Sequence, residues 1–306
     1  MGRRFISTNS INIMKYDFRT MLTLVLLFFL TQFIGLEILY KDISIKIGPT
    51  GEKELVHSET VLGPRPEITG WETFAWMLSG IAISTALILI IVWLKKVMWW
   101  KGLFFISIFL TISLALGVFM KTGYAFILAF VIAALKLYRP NLFIHNIAQV
   151  LMYAGIAILL VPLFDITWII ALLIVISLYD IYAVFKSKHM VKMALFQTKS
   201  KLFAGITIPL RKVKKVKGKK MKVREAIIGG GDVAFPLLFA GVVMESLMKS
   251  ASISMGMAFL KVLIIPIIVS LTLLVLLIKG EEGKFYPGMP FITAGCLVAY
   301  AIVSLV

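Results

Sequence analysis

Long apolar runs, broken by short stretches of charged residues, fill most of this chain. A helix needs about 20 apolar residues to cross a hydrocarbon core roughly 30 Å thick. Nine runs meet or approach that length, at about 20–40, 72–94, 102–120, 122–138, 142–163, 166–185, 226–248, 252–278 and 286–306. The pattern predicts an all-α polytopic membrane protein with nine transmembrane helices in a single membrane domain, 1–306. A six-span N-terminal part covers 1–185, a basic loop 186–225, and a three-span C-terminal part 226–306. The first run is too long for a signal-peptide core and ends without a small-x-small cleavage site, so it reads as a retained span.

Two connections are long enough to hold structure of their own. Residues 41–70 carry several Gly and Pro together with five acids and read as an irregular loop. In 186–225, the segments Ile206–Leu210 and Met221–Arg224 alternate in character, which predicts a short hairpin.

Composition strengthens the membrane reading. The chain is 60% hydrophobic and only 15% charged, against about 45–50% and roughly a quarter in ordinary globular proteins. A water-soluble domain is excluded. The single cysteine, Cys296, excludes an internal disulfide and a Cys-based zinc site. His57, His145 and His189 are scattered and form no HExxH pattern. The 15 methionines read as lipid-facing filler, Lys261 as a snorkelling cation, and His145, Trp71, Trp99 and Trp100 as interfacial residues.

The net charge is +17, and the distribution of its basic residues predicts an orientation. Cytoplasmic connections carry the excess of Lys and Arg. With the N-terminus inside, 25 of the 32 basic residues fall on the inner side and 6 on the outer, while Lys261 lies within a span. The expectation is therefore N-terminus inside, C-terminus outside, in the cell membrane. The 14 basic residues of 186–225 suit anionic lipid headgroups. They lack the aromatic interleaving of a nucleic-acid surface, so no nucleic-acid partner is expected.

Thirteen of the 15 acids lie in connections or at span ends, but Asp180 and Asp232 do not. Asp180 lies about five residues before the sixth span ends, and Asp232 about six after the seventh begins. At 1.5 Å per residue both sit roughly 8–10 Å inside the same boundary. Consecutive spans run antiparallel, so the two can face each other. An intramembrane charge costs at least about 2.5–3.5 kcal/mol, which asks for a purpose. Two carboxyls in low dielectric cannot both ionise; sharing one proton gives the acid and base that aspartic proteolysis requires. Gly229 and Gly231 clear side chains around Asp232, and Pro236 frees a backbone carbonyl. The same acids would also suit a relay in a proton- or ion-coupled transporter or channel.

The motifs Tyr179-Asp180, followed by Ala183-Val184, and Gly229-Gly230-Gly231-Asp232 resemble those of the GxGD intramembrane aspartyl proteases: presenilin, signal peptide peptidase and their archaeal homologues. Pro236 is similar to the signal peptide peptidase and archaeal pattern. The family's Pro-Ala-Leu motif appears as Pro287-Gly288-Met289-Pro290, a departure in which Gly replaces Ala and Met replaces Leu. The resemblance implies an intramembrane aspartic endopeptidase that cleaves transmembrane segments of single-span proteins. It implies Asp180 and Asp232 as catalytic residues, and Tyr179, Gly229, Gly231, Pro287, Gly288, Met289 and Pro290 around the substrate. The partner is a transmembrane-helix substrate. No metal or organic cofactor is called for, and nothing in the sequence requires an accessory subunit.

Overall fold

The computed structural model describes residues 17–47, 53–94, 97–139, 141–187, 203–209, 225–249, 253–280 and 286–305. Helices dominate. In chain order they are α1 (Phe18–Asp42), α2 (Trp71–Leu94), α3 (Val97–Gly117), α4 (Thr122–Tyr138), α5 (Leu142–Leu160), α6 (Ile166–Tyr182), α7 (Gly230–Lys249), α8 (Met255–Val262), α9 (Ile264–Lys279) and α10 (Met289–Leu305). Among the described residues, seven helical segments are long and apolar enough to cross a membrane, with α8 and α9 together making one of them. α4 and α10 are shorter apolar helices of 17 residues, about 25 Å each.

The expected boundaries shift where local chemistry intervenes. The run at 252–278 is two helices, because Pro266 in the first turn of α9 has no N–H to give the preceding turn. α6 ends in a π-helical turn, Ala183–Ser187. The seventh helix begins at Gly230 rather than 226. The residues before it form a strand, β4 (Glu225–Gly229), pairing antiparallel with β3 (Gly205–Pro209) in the register Gly205↔Gly229 and Thr207↔Ile227. The predicted hairpin therefore exists, but its second strand lies C-terminal to Met221–Arg224, which falls outside the described residues. The expected irregular loop holds a second hairpin, β1 (Ile43–Ile47) with β2 (Lys53–His57). The alternation Ile43-Ser44-Ile45-Lys46-Ile47 carried that signal.

α1, α5 and α7 form the interior, and α2 lies at the periphery with 6% of its span buried. Small residues let the inner helices approach: a Cβ on Gly155 of α5 would run into the Thr111 carbonyl of α3. The methionines correct an expectation. Met21, Met152, Met244, Met248 and Met289 are buried in the core rather than facing lipid, where the unbranched thioether fills irregular gaps.

At the helix ends remote from Asp232, a buried ionic cluster ties the fold together. Arg65 Nη2 meets Asp42 Oδ2 at 2.7 Å, and His57 bridges Asp42 (Nδ1 to Oδ2, 3.2 Å) and Glu245 (Nε2 to Oε1, 3.4 Å). Arg65 also donates to the carbonyls of Ser58 and Ile158. The cluster joins α1, β2, α5 and α7. Burial alone would lower the pKa of His57, but the hydrogen bond to Asp42 and the interactions with Glu245 raise it to about 9. The imidazolium is thus the resident form at neutral pH.

Candidate active site

Asp180 lies in the last turn of α6 and Asp232 in the first turn of α7. Both helices begin or end at the same side of the bundle, and the third contributor is the start of α10. The Met289 N–H, unsatisfied within its helix because it opens α10, donates to Asp180 Oδ2 at 3.1 Å, and the Gly288 N–H is aimed at the same carboxyl. Gly288 also faces the other aspartate. A Cβ built on it would lie 2.8 Å from Asp232 Oδ1 and 3.0 Å from Oδ2. Both carboxyls therefore meet at one backbone residue.

Each aspartate does structural work where it stands. Asp232 is the third residue of α7, and its side chain accepts the N–H of Gly229, the residue just before the helix. That is the reach-back of a capping box. Asp180 plays the same part for α10 from a different helix, placing a carboxylate where the positive end of a helix dipole favours it. The register of α6 against α10 is held one turn away, where Ser177 Oγ and Thr293 Oγ1 lie 2.7 Å apart.

The remaining predicted residues distribute around this point. Gly229 closes β4, and a Cβ there would lie 3.0 Å from Asp232 Oδ2. Gly231 is exposed beside Asp232. Pro287 and Met289 are buried, while Pro290 sits in the first turn of α10, where a missing N–H costs nothing. Tyr179 is exposed next to Asp180. Lys261 lies apart on α8, and His189 falls outside the described residues. His145 is not simply interfacial: its Nε2 lies 2.8 Å from the Gly205 carbonyl oxygen.

Several polar residues that the sequence reading passed over converge on the same side. Gln32 of α1 donates to the Val233 carbonyl at 2.7 Å, beside Asp232. Asn146 of α5 pairs with Thr207 at two points, giving Nδ2–H to its carbonyl at 2.8 Å and accepting its N–H on Oδ1 at 3.1 Å. Gln149 donates to the Gly205 carbonyl at 3.1 Å. Their signal was an amide side chain inside an otherwise apolar run, which is costly in hydrocarbon unless paired.

A family model described as signal-peptide peptidase, presenilin aspartyl protease matches residues 74–306. No curated protein matches the chain. Two solved structures of a presenilin family intramembrane aspartate protease share its fold. The one in the C222 crystal form is 15% identical, with a TM-score of 0.58, over 93% of this chain and 98% of that one. The one in the P2 form is 18% identical, with a TM-score of 0.55, over 93% and 97%. With most of its length matched by the family and its helices arranged in that fold, the chain belongs to the signal-peptide peptidase and presenilin aspartyl protease family of integral membrane proteins.

Proposed function

We propose that this protein is a GxGD-type intramembrane endopeptidase that hydrolyses peptide bonds within the transmembrane segments of single-span proteins, with Asp180 and Asp232 as the catalytic pair. The observation that carries the reading is the convergence of both carboxyls on Gly288, from the ends of two antiparallel helices. In the reaction, one aspartate takes a proton from water while the other, protonated, hydrogen-bonds the scissile carbonyl. The tetrahedral diol then collapses to acid and amine with no covalent enzyme intermediate.

A helical substrate hides its carbonyls, so the scissile stretch must unwind and find new hydrogen-bond partners. Thr207 turns its N–H and C=O away from β4, and Asn146 occupies both. β3 is thereby closed on its outer edge. The opposite edge of the two-stranded sheet belongs to β4, which runs directly into Gly229 and Asp232. The unwound substrate adds as a strand on that edge, its backbone led past the aspartates. Nine crossings with the N-terminus inside would put the pair near the inner face, select substrates whose N-termini lie outside, and set the basic loop 186–225 on anionic lipid.

The test is cleavage of a single-span peptide by the purified protein, followed by mass spectrometry. Wild type should yield two fragments, and Asp180→Ala and Asp232→Ala none, although both variants insert normally. Fragments from both variants at more than a few per cent of the wild-type rate would overturn the pair.

A further inference from the structure

Lys136, near the C-terminal end of α4, is a buried lysine, 4% exposed. Its Nζ donates to Gln149 Oε1 at 2.6 Å and lies 5.4 Å from the centre of the Phe104 ring. The Gly205 carbonyl can only accept, so the Gln149 atom that faces it must be the carboxamide nitrogen, which leaves the oxygen to accept from Lys136. The NH2 group then points the other way, to the Gly205 carbonyl at 3.1 Å and the Tyr153 hydroxyl at 3.3 Å. Having accepted that bond, the Tyr153 hydroxyl keeps its own proton to give. It lies against Gly230, where a Cβ would be 3.2 Å from the hydroxyl and 2.7 Å from the Ala204 carbonyl oxygen. Gly230 opens α7, two residues before Asp232.

We infer that Lys136, Gln149 and Tyr153 form a positioning relay for Asp232. Lys136 and the Gly205 carbonyl set which way the carboxamide points, the carboxamide sets which way the hydroxyl proton points, and the hydroxyl, packed against Gly230, holds the start of α7 in register with Asp180. None of the three touches a reacting atom. This inference rests on the reading of Asp180 and Asp232 as a proteolytic pair.

A relay of this kind has a polarity, which a mere packing clasp lacks. Gln149→Glu keeps the shape and still accepts from Lys136, but it has no N–H, so it can only receive the Tyr153 proton. The relay then runs backwards. Tyr153→Phe removes the hydroxyl and little else. Each substitution should lower kcat about tenfold, the scale of one buried hydrogen bond, with KM for the single-span peptide unchanged within about twofold. The melting temperature in detergent should move by only a few degrees. Because both break one chain, the double variant should lose no more than either single one. Wild-type kcat in either variant, or losses that multiply in the double variant, would overturn the relay while leaving the protease reading intact. Inactive wild type, or active Asp232→Asn, would overturn the protease reading and the relay with it.

Discussion

Gly288 is where the chemistry of a single residue matters most. Its backbone fills the space between the two carboxyls, and the atoms a Cβ would meet are the oxygens of Asp232, at the far end of a rotatable side chain. One methyl group can be accommodated by a shift of a few tenths of an ångström, whereas a branched side chain cannot. Gly288→Ala should therefore keep activity within a few fold. Gly288→Val should lose about 100-fold, the scale of an ångström-sized misplacement of a catalytic group, with the protein still folded by thermal melt. Comparable rates for the two variants would show that Asp232 has more freedom than its contacts allow. The departure from Pro-Ala-Leu is explained by the same geometry. What meets Asp180 is the amide of residue 289, and the amide is present whether the side chain is Leu or Met.

At the scale of elements, the hairpin supplies the sharpest test. Thr207 turns its backbone groups outward, and its cross-strand partner Ile227 must do the same on the other side, because opposed residues in an antiparallel pair point their N–H and C=O in common or not at all. Ile227→Pro removes a donor that has no partner among the described residues and that an added strand would use, and edge strands tolerate proline. Ile228→Pro removes one that the hairpin itself uses. The first should cut turnover strongly with an unchanged melting temperature, and the second should also destabilise the protein. Full activity in Ile227→Pro would exclude strand addition at this edge. Most of the helices were legible as apolar runs, because hydrocarbon thickness dictates their length, and Asp180 and Asp232 were legible because charge is rare there. The strand at Glu225–Gly229 was not: Ala226-Ile227-Ile228 is as apolar as the helix it precedes, and only pairing with β3 decides between the two conformations. The relay and the Asn146 clamp were hidden for a similar reason, since an amide in a span says that it needs a partner without saying which one.

For the molecule as a whole, the ionic cluster far from Asp232 predicts a pH limit. The pKa of His57 is raised from 6.5 to about 9 in the fold, so its contribution is fully present below about 6.5 and is lost as pH rises through about 9. Melting temperatures of wild type should fall across that window, by an amount equivalent to about 3 kcal/mol. His57→Gln should be less stable at pH 6.5 and should lack that slope. Parallel curves for the two proteins would mean that the cluster is neutralised by Arg65 alone. The peripheral placement of α2 carries a different consequence. A helix with 6% of its span buried is specified by hydropathy and scarcely by shape, whereas α7, with 67% buried, must satisfy neighbours on nearly every side. Over evolutionary time the two should drift at different rates. Shuffling Leu, Ile and Val along α2 should leave a working protein and the same shuffle along α7 should not, so an alignment of relatives should show change fast at the lipid-facing rim and slow in the helix that carries Asp232.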